Sequence, residues 1–167
     1  MGSGSGGIYS GTGGGSQPYA PSYHVEAKMH QYDINNGTFH DGHYDVNPTA
    51  QKLTDTINGN YVGNKNYNND NLPYVVDLNG NIIFGSRNGN GRDGAATPHP
   101  TLIGGSDPQV QVAGILKIRG GKIYSYDHMS GHYKPNVKSM DAADKAFGKL
   151  PKNLFAKNFT RKDKLWK

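Results

Sequence analysis

The chain has 167 residues and no cysteine, and its 18 Lys and Arg residues exceed its 13 acidic residues to give a net charge of +5. The length suits one domain with a tail, and the lack of cysteine excludes a disulfide framework and any thiolate metal site. Only 34% of the residues are hydrophobic and 24 are glycine, which disfavours a large helical bundle and favours a twisted sheet with many turns. A positive charge is typical of proteins with polyanionic partners, although it also serves solubility alone.

The N-terminal third of the chain predicts a linker followed by a short helix. Residues 1–21 are rich in Gly and Ser and carry no charged side chain, so we expect a flexible linker before a single domain over 22–167. Asn47 as N-cap, Pro48 in the first turn and Gly59 beyond the end predict a short N-terminal helix. No apolar run is long enough for a membrane span or a signal peptide, so we expect an upstream fusion to carry the domain out of its producer.

A first β-hairpin is predicted in the middle of the chain. Residues 74–77 and 82–84 are apolar strands that flank Asn79-Gly80, a dipeptide typical of the tightest hairpin turns. The glycine-rich segment 85–98 that follows predicts a long polar loop.

A second β-hairpin is predicted from residues 110–119 and 122–126, joined by Gly120-Gly121. Its register would pair Arg119 with Lys122 and Lys117 with Tyr124. One face of this hairpin is then apolar and the other is basic and aromatic. The apolar face carries Val110, Val112, Leu116, Ile118 and Ile123. The basic face carries Lys117, Arg119, Lys122, Tyr124 and Tyr126. The basic face is suited to a nucleic-acid strand, and a solvated face with Lys/Tyr packing is the alternative.

The C-terminal part predicts a helix that covers the sheet. Apolar residues recur at helical spacing from Val137 to Leu150, with Ser139 as N-cap, and the basic stretch 152–167 would form a partial helix or reach for an anionic partner. The predicted fold is therefore α+β, with a small antiparallel sheet from two hairpins packed by a short N-terminal helix and a C-terminal helix.

Histidines form two groups. The segment from His40 to Asp45 is dense in metal-ligand types but lacks helical i, i+4 spacing and closing ligands, so a polar turn is the favoured interpretation and no metal is assigned. The second group comprises His99, His128 and His132 near the ends of the second hairpin. Imidazole can act as acid or base near neutral pH, which makes this group the candidate for catalysis.

The chemistry predicted for the second group is metal-independent RNA cleavage. His99 and His132 would be the acid/base pair, one taking the ribose 2′-hydroxyl proton and the other protonating the 5′-oxygen. The other assigned residues are Tyr133 in catalysis, Lys117, Arg119, Lys122, Tyr124 and Lys134 in substrate binding, and Ser130, Thr101 and His128 as additional candidates. A structural interpretation of residues 130–133, as a tight turn braced by its side chains, stays open.

Four segments resemble, as an ordered set, the C-terminal toxin domains of bacterial polymorphic toxins of the Rhs and contact-dependent inhibition type. They are PHPTLIGG at 98–105, VQVAG at 110–114, GGKI at 120–123 and SGHYKP at 130–135. The resemblance covers about Pro73 to Pro135. The histidine and SGHY elements are also similar to a plant calmodulin-binding family.

The resemblance to polymorphic toxins implies a secreted weapon, delivered to the cytoplasm of a target cell and paired with an immunity protein. It further implies an RNase of the barnase and EndoU-like toxin fold. We expect a monomer without a cofactor, an RNA substrate, no membrane partner, and an acidic immunity protein that complements the basic face. Two alternatives stay open: an ADP-ribosyltransferase, although the only glutamate, Glu26, lies far upstream of His99, and a non-catalytic module that binds nucleic acid or protein.

Overall fold

A computed structural model describes residues 22–91 and 94–161, so the linker predicted over 1–21 lies outside the described residues. Helices and strands are both present, which confirms the α+β class. The α-helices are α1 (Ala27–Asn36) and α2 (Met140–Phe147). The strands are β1 (Phe39–His40), β2 (His43–Tyr44), β3 (Gln51–Lys52), β4 (Ile57–Asn58), β5 (Tyr61–Val62), β6 (Asn69–Val76), β7 (Ile82–Phe84), β8 (Val112–Arg119), β9 (Lys122–Tyr126) and β10 (Phe155–Arg161).

The main sheet has six strands in the order β10-β9-β8-β6-β7-β3. The two predicted hairpins, β6–β7 and β8–β9, form its centre and are joined by antiparallel pairing of β6 with β8. The edge strand β10 runs parallel to β9, so the sheet is mixed. This strand occupies the stretch predicted as a partial helix or an anion-seeking arm, and residues 162–167 lie outside the described part of the chain. Pairs β1–β2 and β4–β5 form separate ribbons.

The N-terminal helix of the protein is α1. The prediction of a helix between Asn47 and Gly59 is wrong. Asn47 is buried and braces a loop: its Oδ1 accepts from the Thr49 N–H at 2.8 Å, and its Nδ2 donates to the Ser86 carbonyl at 2.9 Å. The bond to Thr49 closes only a turn, because Gln51 and Lys52 pair with Phe84 and Ile83, and the segment forms β3, one 3-10 turn and β4 instead. The helix α1 ends at Gly37, whose φ of 83° is left-handed.

The first hairpin has a longer loop than its sequence predicts. Val76 pairs with Ile82, which leaves the five residues 77–81 outside the ladder. Asp77 Oδ1 accepts hydrogen bonds from the backbone N–H groups of Asn79 and Asn81, both at 2.9 Å. The aspartate thus organises a wider loop, and the two-residue turn at Asn79-Gly80 is wrong.

The second hairpin turns at Gly120-Gly121 as predicted, with φ of 57° and 70° at the two glycines. Arg119 pairs with Lys122 and Ile118 with Ile123, but beyond these two pairs the register shifts, because Lys117 lies opposite Ser125. Tyr124 is the extra residue of this β-bulge, so its predicted pairing with Lys117 is wrong. The bulge also turns Tyr126 away from the basic face, and its ring stacks on Phe147 at 4.0 Å.

Both faces of the sheet are covered. The predicted C-terminal helix is confirmed as α2, which buries Met140, Ala143 and Phe147 against the larger core cluster of the sheet. Val110 was predicted on the same face as Val112, but it precedes β8 and packs in a second cluster. That cluster comprises Val75, Leu102, Val110, Ala113 and Tyr133. Among the described residues, no helix is long and apolar enough to cross a membrane.

Candidate active site

The turn after β9 is anchored by its own side chains. Ser130 Oγ accepts from the Tyr133 N–H at 3.3 Å, and the Lys134 N–H donates to the Ser130 carbonyl at 2.8 Å. Tyr133 Oη donates to the Pro108 carbonyl at 2.6 Å, and burial raises the pKa of this phenol, which keeps it a donor. In this position Tyr133, predicted to be catalytic, holds the turn against the second core cluster.

His99 contacts the same turn through Ser130. Only 5% of its surface is exposed, and its Nε2 lies 2.7 Å from the Gly114 carbonyl, which can only accept a hydrogen bond. Nε2 therefore carries the proton, and Nδ1 accepts from Ser130 Oγ at 3.2 Å. Burial lowers the pKa of His99 to about 4, so its ring is neutral at neutral pH. With both nitrogens engaged, His99 is placed to position the turn through Ser130.

His132 leaves the turn toward helix α1. Its Nε2 lies 3.1 and 3.0 Å from the two carboxylate oxygens of Asp33, and the side chain is 12% exposed. Asp33 is the buried residue of α1 and is 1% exposed. A carboxylate that accepts from one imidazole nitrogen fixes both the tautomer and the orientation of the ring. Nδ1 is then the nitrogen of His132 available for proton exchange.

The Asp33 carboxylate also binds Tyr44, which connects it to a second histidine. Tyr44 Oη donates to Asp33 Oδ2 at 2.6 Å, and its oxygen lies 3.3 Å from His30 Nδ1. Because the Tyr44 proton points at the carboxylate, Nδ1–H of His30 is the donor to Tyr44. Burial, followed by the hydrogen bond to Asp33, raises the pKa of Tyr44 and keeps it protonated. We call these four residues, His30, Asp33, Tyr44 and His132, the histidine network.

A cavity of about 210 Å³ borders the histidine network. Its walls include His30 and Tyr44, with Pro108, whose carbonyl accepts from Tyr133, on the facing loop. A second cavity of about 390 Å³ beside Leu102 is lined by no histidine. The smaller cavity is therefore the one in which a bound group would meet an imidazole, that of His30.

Charged residues flank His132 on both sides. The Glu26 N–H donates to the His132 carbonyl at 2.7 Å, and the Glu26 carboxylate pairs with Lys134 Nζ at 3.0 Å. The positive charge of Arg87 adds to burial in lowering the pKa of His99. Glu26 is distant from His132 in the chain but adjacent to it in the fold.

Apart from Lys134, the basic residues predicted to bind substrate lie toward the other end of the second hairpin. The Arg119 guanidinium pairs with Asp70 at 3.1 and 3.3 Å and stacks over the Tyr124 ring at 4.3 Å. Lys122 Nζ donates to the carbonyls of Asn60 and Asn153. Arg119 is five residues along β8 from Gly114, which at the usual strand rise is about 16 Å.

The remaining candidates make structural contacts. His128 Nδ1 lies 3.1 Å from the Pro135 carbonyl, to which it donates. Thr101 Oγ1 donates to the Pro98 carbonyl at 2.6 Å and closes the 3-10 turn that carries His99. Lys117 is half-buried, and its charge contributes to lowering the pKa of Asp70 after the larger effect of Arg119.

Sequence reasoning missed three members of the histidine network: His30, Asp33 and Tyr44. A signal was present, since His30 and Asp33 are three residues apart in a segment that ends at Asn36-Gly37, and residues at i and i+3 share a helix face. The segment was overlooked because it carries no apolar stripe. The buried residue of this helix is an aspartate, Asp33, whereas an amphipathic pattern is recognised by its buried apolar residues.

No protein-family model matches the chain, and no curated protein or solved structure is significantly similar to it.

Proposed function

We propose that this domain is a ribonuclease toxin in which His132 and His30 transfer protons while Asp33 and Tyr44 hold the two rings. The observation that carries the proposal is the buried Asp33 carboxylate, bound directly to His132 and through Tyr44 to His30. A buried carboxylate is costly unless it is hydrogen-bonded, and such arrangements concentrate at acid/base sites.

The proposed reaction needs two imidazoles in opposite protonation states. One ring takes the proton of the ribose 2′-hydroxyl as the 2′-oxygen attacks phosphorus. The other ring gives its proton to the departing 5′-oxygen as the P–O5′ bond breaks, which leaves a 2′,3′-cyclic phosphate and a 5′-hydroxyl. Nδ1 of His132 and Nε2 of His30 are the nitrogens that the histidine network does not use, and they would carry these protons. Lys134 would offset the charge that develops on the phosphate.

His99, Ser130 and Tyr133 support the reaction in this proposal by fixing the turn that presents His132. This assignment differs from the His99/His132 pair expected from the sequence, and it rests on the buried, neutral His99 ring.

The proposed biological role is that of a secreted toxin delivered to the cytoplasm of a target cell, where an immunity protein protects the producer's kin. The net charge of +5 supports an acidic immunity protein, whose association rate would fall as salt is added. Association with the same rate in low and high salt would contradict this partner.

Incubation of the purified domain with total RNA in EDTA tests the reaction. We expect fragments ending in cyclic phosphate, and we expect His132→Gln to lower the cleavage rate by about 100-fold or more with an unchanged circular dichroism spectrum. Intact RNA with a folded domain, or normal cleavage by His132→Gln, would overturn the proposal.

A second candidate is an NAD-using transferase, favoured by one observation: the only glutamate of the chain, Glu26, lies against His132 and Lys134. ADP-ribosyltransferases usually require a catalytic glutamate beside the bound NAD. Labelled NAD added to a cell lysate with the domain separates the two candidates. Transfer of label that is lost in Glu26→Gln, together with intact RNA, would select the transferase.

A further inference from the structure

The β1–β2 ribbon gathers three metal-ligand side chains on one face. His40 and His43 are direct cross-strand partners on either side of the two-residue turn Asp41-Gly42, and their rings are 4.9 Å apart. Asp41 and Gly42 have φ of 51° and 83°, the left-handed pair that a tight hairpin turn requires. Side chains two apart on a strand share a face, which brings Asp45 to the same side as His43.

Both histidines direct the same ring nitrogen at Asp45. His40 Nε2 lies 2.9 Å from Asp45 Oδ2, and His43 Nε2 lies 3.0 Å from Asp45 Oδ1. One ligand atom from each of the three residues falls within 4.8 Å of the others. Since a tetrahedral ion with bonds of about 2.0–2.1 Å holds its ligands roughly 3.3 Å apart, small side-chain rotations bring the three atoms to bonding distance.

Asp41 contacts the Nδ1 atoms of both rings, on the side away from Asp45. His40 Nδ1 lies 3.1 Å from Asp41 Oδ2, and His43 Nδ1 lies 3.4 Å from the Asp41 carbonyl oxygen. With Nε2 of each ring bound to an ion, Nδ1–H would be the donor to Asp41. Metal-binding histidines typically donate their second N–H to a carboxylate or a carbonyl in this way.

We propose that this ribbon binds a divalent transition-metal ion, Zn²⁺, through His40 Nε2, His43 Nε2 and an Asp45 oxygen, with the remaining position open to water. Two imidazoles and one carboxylate suit Zn²⁺ better than Mg²⁺ or Ca²⁺, which prefer oxygen ligands. The three side chains are 19%, 44% and 42% exposed, so an ion can reach them from solvent. The sequence favoured a polar turn without metal for this segment, and the proposal departs from that prediction.

The ion would brace the ribbon that carries Tyr44 without taking part in proton transfer. Phe39 and Tyr44 point to the opposite face of the ribbon, where their rings are 4.9 Å apart, and Phe39 contacts His30 at 4.5 Å. A ligand that binds only the folded domain stabilises it, so Zn²⁺ is expected to raise the melting temperature.

Titration of the metal-free domain, produced without a polyhistidine tag, with Zn²⁺ in a calorimeter tests the site. We expect one equivalent to bind, and a visible absorption band when Co²⁺ replaces Zn²⁺. His43→Asn should abolish this binding, and Asp41→Asn should weaken it by about tenfold, because the Nδ1 acceptor of His40 loses its charge. His24→Gln is the matched control, since His24 forms a comparable exposed pair with Asp107 at 2.8 Å and should leave binding unchanged.

Absence of saturable binding, or equal binding by the wild type and His43→Asn, would overturn the site. Both measurements read the metal directly, so their outcome is independent of whether the domain cleaves RNA.

Discussion

The Nε2 atom of His132 lies 3.0 Å from Asp33 Oδ2, although 99 positions separate the two residues in the chain. This contact joins the turn after β9 to helix α1 and gives the helix its buried residue. The aspartate fixes the orientation of the His132 ring, which is 12% exposed, and connects it through Tyr44 to His30.

Removal of the Tyr44 hydroxyl tests the link between the two histidines. In Tyr44→Phe, Asp33 loses one hydrogen bond and His30 loses its acceptor, so we expect RNA cleavage to fall by about tenfold or more. Tyr67→Phe is the matched control, since Tyr67 is a half-buried tyrosine that packs against the larger core cluster and lies outside the histidine network. Equal rates for the two variants would show that Tyr44 serves packing alone.

Replacement of His99 tests its positioning role through stability. His99→Gln should lower the free energy of unfolding at pH 7 by about 2 kcal/mol, because Gly114 and Ser130 lose their buried partner. Urea denaturation measures this loss. An unchanged free energy of unfolding would argue that the His99 contacts contribute little.

The pH dependence of stability gives a second test of His99. Its pKa falls from 6.5 to about 4 on folding, so the unfolded chain binds a proton more readily between these values. The stability is fully present above pH 6.5, declines as the pH falls, and levels off below 4, a loss of about 3 kcal/mol from this group. Urea denaturation over this range should show a shallower decline for His99→Gln, and parallel curves would refute the assignment.

Two glycines near the site should respond differently to alanine. A Cβ at Gly114 would lie 2.0 Å from the Asp127 carbonyl oxygen, so Gly114→Ala must shift a strand, and we expect a cost of about 3 kcal/mol. A Cβ at Gly131 meets no atom within 4 Å, and its φ is not left-handed, so Gly131→Ala should change stability by less than about 0.5 kcal/mol. Thermal denaturation of both variants checks the contrast, which equal melting temperatures would contradict.

Two charge changes at the Gly120-Gly121 end of the second hairpin should have opposite effects on RNA binding. Asp70 neutralises Arg119, so Asp70→Asn should tighten binding and make it more sensitive to salt, whereas Arg119→Gln should weaken it. Fluorescence anisotropy with labelled RNA at two salt concentrations measures both changes. No difference between the variants would exclude this end of the hairpin from the RNA-binding surface.

Local sequence signals predicted much of the fold. Gly120-Gly121 encodes a turn that only residues tolerant of positive φ can form, and the apolar spacing of Met140, Ala143 and Phe147 encodes one helix face. Such signals act over a few residues, so the hairpin β8–β9 and the helix α2 follow from them directly. The capping signal at Asn47 was misleading for the same reason, because Gln51 and Lys52 pair with β7, a strand far along the chain.

The sequence by itself thus determined the α+β class, the two central hairpins and the helix that covers them. The tertiary structure decided which side chains meet. The bulge at Tyr124 turned Tyr126 into the core, the burial of His99 made it a neutral brace, and the docking of α1 brought Asp33 to His132. Each of these depends on packing between segments far apart in the chain, where burial and hydrogen bonding outweigh local preference.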